Sequence, residues 1–236
     1  MSNKQYKNLV TNSLVFTIAN LGSKIISFVM VPLYTYVLTT EEYGTVDLMT
    51  TINSLLIPIL FLCVSDAVLR YCMDKRYNAK EIISNSLYIY IWGAAIICLI
   101  IPILGKLYPD IAPYNIHLGM LFLSNGLMQG CNQYLRASGH VKAFAANGIV
   151  YTFVFASLNV LFLVKLKFGI SGYLYSMILT NIVCIIVAAT FSKIWKVLTF
   201  KIYPKTFRII LKYSVPLIPN ALMWWIMDAS DKLIIT

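Results

Sequence analysis

A single lysine lies near the middle of a segment that is apolar enough to cross a membrane. Lys24 is the only charged residue in the stretch 9–38. A helix of about 20 residues spans the bilayer core, and a lysine at its centre costs roughly 2.5 to 3.5 kcal/mol. The ammonium group therefore needs a partner, either a carboxylate on another helix or an anionic group in a transport cavity. We favour the cavity because other polar residues share the face of Lys24.

These polar residues repeat at helical spacing. Successive members are four, three, four, three and seven residues apart, which places them on one side of a helix. The members are Ser13, Thr17, Asn20, Lys24, Ser27 and Tyr34. The rest of the segment suits lipid, so we expect the polar side to face protein or water.

A second one-sided polar stripe begins in the apolar segment 116–135 and ends just beyond it. Asn125, Gln129, Asn132 and Arg136 are spaced by four, three and four residues. Amide side chains on one face of a membrane helix either line a polar cavity or form hydrogen bonds between helices. The sequence leaves both interpretations open.

Three of the nine acidic residues are candidate site residues, and all three lie within apolar segments. Asp66 precedes Arg70 by four residues, a spacing that favours a local ion pair, with charge balance or ion coupling as the alternative. Asp228 and Asp231 lie near the end of the chain, in an otherwise apolar stretch. Carboxylates within a membrane are candidates to offset the charge of Lys24.

The composition indicates which kind of protein carries these residues. Of 236 residues, 59% are hydrophobic and 12% are charged, with a mean hydropathy of +0.77. Soluble domains average about 25% charged residues, so this composition indicates an integral membrane protein. We predict an all-α, polytopic membrane helix bundle with spans at about residues 9–38, 45–69, 82–104, 116–135, 143–164, 169–191 and 213–236.

Two of these spans carry further expectations. Pro58 lacks a backbone donor, so we predict a kink within a continuous second span. The third span is apolar apart from Ser84, Asn85 and Ser86 at its start. We expect this span to serve packing or to face lipid.

Basic residues are distributed unequally between the loops. Fourteen of the 19 lysines and arginines fall in the N-terminal segment and alternate loops, whereas three fall in the opposite loops. Because basic loops stay in the cytoplasm, this asymmetry predicts a multi-pass protein of the cytoplasmic membrane with its N-terminus inside. Topology and contact with membrane lipids explain the net charge of +10, so we expect no nucleic-acid partner.

The longest and most basic connection is the stretch 192–212. Its apolar and basic residues each repeat every three to four positions, which predicts amphipathic helices in the cytoplasmic interface, broken near Pro204. The five cysteines show no paired spacing, so neither a disulfide framework nor a metal site is predicted. We expect no cofactor.

Several short motifs follow one another over nearly the whole chain. They are Pro32 before Leu38-Thr39-Thr40-Glu41-Glu42-Tyr43-Gly44, Tyr134-Leu135-Arg136-Ala137-Ser138-Gly139, Leu158-Asn159 with Phe168-Gly169-Ile170-Ser171-Gly172, and Tyr213-Ser214-Val215-Pro216-Leu217-Ile218-Pro219. Their order and spacing resemble the oligosaccharide flippases of polysaccharide and O-antigen biosynthesis. That family shares a superfamily with the multidrug and toxin extruders and the lipid II flippase.

The resemblance implies two six-helix lobes around a central cavity. Residues 1–191 would then form a six-helix first lobe, 192–212 a linker, and 213–236 the first helix of a second lobe. We therefore expect the chain to be part of a longer protein. The implied activity is not enzymatic: it is the movement of an undecaprenyl-diphosphate-linked oligosaccharide to the outer leaflet by alternating access.

The resemblance also suggests roles for the polar residues. Lys24 is expected to contact the diphosphate, supported by Asn20 and Arg136, while the amides Gln129 and Asn132 bind sugar hydroxyls. Asp228, Asp231 and Asp66 are candidates for charge balance or ion coupling. Besides the lipid-linked substrate, the expected partners are a polysaccharide polymerase and glycosyltransferases of the same pathway.

Two other functions compete with this one. A multidrug exporter of the same superfamily would be favoured by a cavity richer in carboxylates and aromatic rings than in cations. A membrane-embedded enzyme acting on prenyl phosphates would require clustered carboxylates, or a histidine with acidic and basic partners, near one interface.

Overall fold

The chain folds into a bundle of helices. The structure, a computed structural model, describes the backbone of residues 28–235 and the side chains of residues 28–227 and 230. Every long element in this part is helical, which confirms the all-α class. The helices are α1 (described over Phe28–Val37), α2 (Thr40–Leu60), α3 (Val64–Met73), α4 (Ala79–Leu107), α5 (Asn115–Ala137), α6 (Val141–Asn159), α7 (Gly169–Ser192), α8 (Pro204–Ser214) and α9 (Leu217–Ile235).

The lengths and hydropathy of these helices suit a membrane. Five helical stretches of the described chain are long and apolar enough to cross one. Three of them are α2, α4 and α7: Thr40–Leu60, Ala79–Leu107 and Gly169–Ser192. The other two are Val141–Lys165, which is α6 with the π-helical turn Val160–Lys165 that follows it, and Pro204–Met227, which combines α8 with the part of α9 up to Met227. Helix α5 is long enough at 23 residues, but its amide side chains make it more polar. The prediction of a polytopic membrane bundle is confirmed.

Helix α2 begins with a capping box formed by the first sequence motif. The hydroxyl of Thr39 accepts the backbone N–H of Glu42 at 3.2 Å, and the Glu42 carboxylate accepts the backbone N–H of Thr39 at 2.9 Å. Each bond satisfies a donor that the start of a helix otherwise leaves free. The motif therefore fixes where α1 ends and α2 begins.

The predicted second span is two helices rather than one. Helix α2 ends at Leu60 and α3 begins at Val64, while Leu62 and Cys63 adopt left-handed φ angles of 51° and 49°. Pro58 lies within α2 and cannot donate to the carbonyl one turn earlier. The expected disturbance near Pro58 is present, but the prediction of a continuous, kinked helix is wrong.

Helix α5 lies at the centre of the bundle and contacts α3, α4, α6 and α7. Polar side chains join it to its neighbours. Asn147 on α6 donates to Oδ1 of Asn132 at 2.7 Å and to the carbonyl oxygen of Cys184 at 3.1 Å. Asn181 on α7 donates to the hydroxyl of Ser124 at 3.1 Å. In a membrane the hydrophobic effect does not drive helices together, so such bonds act with close packing to select helix neighbours.

The basic linker is fixed to the start of α4. The hydroxyl of Ser84 accepts the backbone N–H of Thr199 at 3.0 Å, and Asn85 forms two hydrogen bonds with the backbone of Tyr203. Tyr88 donates to the carbonyl oxygen of Phe200 at 2.9 Å. The first turns of α4 therefore bind the linker, a role that our expectation of packing or lipid contact missed.

Before Pro204 the linker contains only a single-turn 3-10 helix, Ile194–Lys196, so the predicted amphipathic helix on that side of the proline is wrong. Helix α8 is the α-helical part of the linker and is followed closely by α9. It begins at Pro204, as the sequence predicted for a helix boundary, and ends at Ser214. Tyr213, where we expected the last span to begin, lies inside α8, and α9 begins at Leu217. The turn between the two helices consists of Val215 and Pro216.

Candidate functional site

An open cavity of about 530 Å³ lies between α2, α3, α5 and α9. Its lining combines hydroxyl, amide, carboxyl and aromatic side chains. The polar members are Thr51, Ser54, Ser65, Asp66, Asn125 and Gln129, and the aromatic members are Phe61, Trp224 and Trp225. This mixture is unusual among helices that otherwise present apolar side chains, so the cavity is the candidate site.

The break between α2 and α3 shapes one wall of the cavity. The ring of Phe61 packs against Gly93 of α4 and Gly126 of α5, with no space for a Cβ atom at either glycine. It also contacts the ring of Tyr90 with 5.1 Å between centroids. Phe61 is buried in this slot, and after the left-handed residues Leu62 and Cys63 the first turn of α3 places Asp66 at the cavity.

Asp66 is exposed to this cavity and does not form the predicted ion pair. No basic side chain of the described chain lies within ion-pair distance of its carboxylate. The guanidinium of Arg70 instead lies 4.4 Å from the ring centroid of Tyr213 and 5.9 Å from that of Tyr71. Arg70 therefore ties α3 to α8 by cation–π contact, and the expected Asp66–Arg70 pair is wrong.

The polar stripe on α5 divides into three parts with different surroundings. Asn125 and Gln129 line the cavity, and Gln129 donates to Asn125 at 3.3 Å. Asn132 accepts a hydrogen bond from Asn147, so it contacts α6 instead. Arg136 is exposed at the end of α5, and its guanidinium lies 5.8 Å from the ring centroid of Phe144. The structure thus brings Gln129 to the candidate site, but not Asn132 or Arg136.

Helix α9 supplies the aromatic wall. Trp224 is 60% exposed, and Trp225 donates its indole N–H to the carbonyl oxygen of Thr51 at 3.3 Å. Trp224 was not among the predicted site residues. Its one-turn spacing from Asn220 is a signal that could have indicated it, but the sequence does not reveal which helix the shared face meets.

Four predicted site residues lie outside what the structure describes. Lys24 and Asn20 precede the first described residue, and the side chains of Asp228 and Asp231 are not described. Their roles stay predictions. Trp224 lies one helical turn before Asp228, so the backbone of α9 carries that residue just beyond the aromatic wall.

The arrangement can bind a ligand by hydrogen bonding and by aromatic contact. Amide and hydroxyl side chains offer both donors and acceptors, and an indole face offers apolar surface. In the part of the chain that the structure describes, no three histidine, cysteine or acidic side chains lie close enough to hold a metal ion. The amide, hydroxyl and indole groups of the described lining support binding of a polar organic ligand.

Membrane-length helices around an open polar and aromatic cavity define a class: the chain is a multi-pass helical membrane protein. It belongs to the polysaccharide biosynthesis protein family, whose model matches residues 9–236. This match confirms the resemblance of the sequence motifs. Comparison with curated proteins and with solved structures gives no significant match.

Proposed function

We propose that the chain forms the first lobe of a flippase that moves an undecaprenyl-diphosphate-linked oligosaccharide from the inner to the outer leaflet. The observation that carries this proposal is the amide- and tryptophan-lined cavity of a family member in polysaccharide biosynthesis. A sugar chain cannot cross about 30 Å of hydrocarbon without replacements for its hydrogen bonds to water. The cavity offers such replacements within the membrane-spanning bundle.

The lining suits sugar rings in two ways. Asn125, Gln129 and Ser54 provide donors and acceptors for hydroxyl groups. The exposed face of Trp224 provides an apolar surface for the C–H face of a pyranose. In other small-molecule sites, a few polar groups fix the orientation of the ligand, and aromatic side chains bury most of its apolar surface.

The negative charge of the described lining argues against diphosphate binding in this part of the cavity. Asp66 is the one charged residue among the described lining residues. A carboxylate repels a diphosphate, so we assign the diphosphate to Lys24 and Asn20, without the support of Arg136 that we first expected. Asp66 is suited to a proton or cation that couples transport to a gradient.

The basic loops give the proposed orientation. The linker and the loop between α3 and α4 would face the cytoplasm, together with the N-terminus, in the cytoplasmic membrane. Glycosyltransferases that build the lipid-linked sugar would then act on the side from which the cavity takes its substrate. A polymerase of the same pathway would receive the product on the other side.

A matched pair of tryptophan variants in the full-length protein tests the proposal. Trp224→Ala should reduce surface polysaccharide at least tenfold in a strain that lacks its own flippase. Trp92→Ala is the control because Trp92 is similarly exposed, at 63%, but lies on α4 and does not line the cavity. Equal export by both variants, at equal membrane abundance, would refute a sugar-binding role for the cavity.

A multidrug exporter remains the second candidate because of one specific observation. The described lining contains a carboxylate and three aromatic rings but no cation, the balance expected for lipophilic cationic drugs. Asp66→Asn separates the two functions. Loss of resistance to lipophilic cations in this variant, together with polysaccharide export that persists when the whole gene is deleted, would support the exporter and exclude the flippase.

A further inference from the structure

Helix α8 has two faces with opposite chemistry. Thr206, Ile210 and Ser214 are buried against the bundle, where α8 contacts α3 and α4. On the buried side Thr206 donates a hydrogen bond of 2.5 Å to the carboxylate of Glu81. The basic residues of α8 lie on the exposed side: Lys205, Arg208 and Lys212.

A shallow groove of about 1020 Å³ runs along α8. Among the residues that the structure describes, three cations and six apolar residues line it, and none of these nine is acidic. The lining consists of Ile202, Pro204, Lys205, Phe207, Arg208, Leu211, Lys212, Val215 and Pro216. The cations repeat at three and four residues, so they form one row beside the apolar surface.

We propose that this groove binds an anionic phospholipid of the cytoplasmic leaflet. The lipid phosphate contacts Lys205, Arg208 and Lys212, and an acyl chain lies along the apolar residues from Ile202 to Pro216. The side on which this occurs rests on the orientation proposed above. The groove itself is separate from the cavity and shares no lining residue with it.

The combination of charge and apolar surface selects this ligand over simpler ones. A soluble anion would leave the apolar lining in contact with water, and a zwitterionic lipid would bring no net charge to three cations. An anionic phospholipid matches both parts of the groove. Juxtamembrane clusters of basic residues attract such lipids for the same electrostatic reason.

Exposed aromatic residues near α8 independently place this region at a membrane surface. Trp195 is 54% exposed and Phe200 is 82% exposed, both on the same linker. Tryptophan side chains are enriched at the level of lipid headgroups, and the exposed Phe200 ring adds apolar surface beside Trp195. The groove on α8 is therefore within reach of lipid rather than surrounded by bulk water.

Lipid binding to the purified full chain in neutral detergent provides the test. We expect fluorescent phosphatidylglycerol to bind saturably, and fluorescent phosphatidylcholine to bind at least tenfold more weakly. The triple variant Lys205→Gln, Arg208→Gln, Lys212→Gln should lose at least tenfold in affinity for phosphatidylglycerol. The charge-matched control Lys75→Gln, Lys80→Gln, Lys142→Gln, at exposed positions outside the groove, should lose less than twofold.

Equal losses in the two triple variants would overturn the proposal, since binding would then follow net charge alone. A second measurement addresses the apolar half of the groove. Val215 is exposed, so Val215→Ser should lower the affinity for phosphatidylglycerol at least threefold without changing the thermal midpoint of unfolding. An unchanged affinity would contradict the assignment of the acyl chain to this surface.

Two further outcomes separate this proposal from the proposed function. Displacement of phosphatidylglycerol by a lower concentration of undecaprenyl diphosphate would show that the groove serves the transported lipid, and would overturn the phospholipid assignment. Trp224→Ala should bind phosphatidylglycerol normally, because Trp224 lines only the cavity. The phospholipid proposal can therefore fail while export still depends on Trp224. Conversely, phospholipid can bind the groove even if Trp224→Ala leaves export unchanged.

Discussion

The side-chain amide of Asn85 binds both backbone polar groups of Tyr203. Its Nδ2 donates to the carbonyl oxygen of Tyr203 at 3.0 Å, and its Oδ1 accepts the backbone N–H of the same residue at 3.0 Å. The Asn85 side chain is fully buried. The Asn85 amide thus pairs with the Tyr203 backbone in the way that a neighbouring β-strand would. It holds the extended segment before α8 in place.

Asn85→Ala should release this segment. The substitution leaves a part-buried donor and acceptor of Tyr203 without their partner, which costs up to about 1 to 3 kcal/mol for each group, and less where water replaces the lost bond. We expect a lower thermal midpoint in detergent and faster tryptic cleavage after Lys201. Tyr88→Phe is the control because it removes one exposed bond to Phe200, and should cost about 1 kcal/mol or less. Equal cleavage of both variants would contradict the assigned role.

Gly126→Ala should disturb the slot that holds Phe61. A Cβ atom at residue 126 overlaps the phenyl ring, and overpacking of this kind costs about 1 to 3 kcal/mol. Gly148→Ala is the matched control, since a Cβ atom there meets nothing within 4 Å and alanine favours a helix by about 1 kcal/mol. The thermal midpoints should move in opposite directions. A stabilised Gly126→Ala variant would refute the tight slot.

Asn132 and Asn147 should be energetically coupled. Their hydrogen bond joins α5 to α6, and such bonds in membranes contribute about 0.6 to 2 kcal/mol. A double-mutant cycle with both residues changed to alanine, followed by unfolding in mixed micelles, measures the coupling. Additive effects would contradict the contact. We also expect Asn132→Ala to lower stability more than it lowers export, because Asn132 does not line the cavity.

The carboxyl of Asp74 should titrate at unusually low pH. Hydrogen bonds from the Arg76 side chain and backbone lower its pKa to about 2, with Nη2 and Oδ2 at 2.6 Å. Because the pKa is depressed in the folded state, the pair stabilises the loop above pH of about 4, and the effect is lost as pH falls towards 2. Arg76→Gln should return the pKa towards about 3.9. Carbon NMR titration of labelled aspartate measures both values; identical titration in the variant would rule out this cause.

The sequence was sufficient for most of the helices because a membrane imposes a clear length and hydropathy. Helix α7, predicted over residues 169–191, extends over Gly169–Ser192. The break at Phe61 was not predictable in the same way. Its position depends on whether the Phe61 ring fits between Gly93 and Gly126, and those residues are far away in the chain.

The site was predicted only in part for the same reason. Helical spacing correctly placed Asn125 and Gln129 on one face, but the spacing continues to Asn132 and Arg136 without a change. Only the positions of α6 and α9 divide that face into a cavity lining and a helix contact. The hydrogen bonds of Asn85 likewise join residues 118 positions apart, beyond any local pattern.

The turn between α8 and α9 has a geometric consequence for the cavity. Helix α8 is anchored to α3 and α4, whereas α9 begins after Val215 and Pro216, and Pro216 has no N–H to continue the helical ladder. Trp224 and Trp225 lie more than one turn further along α9 and form one wall of the cavity. The path of the chain through this short joint therefore determines where the aromatic wall lies relative to the other walls of the cavity.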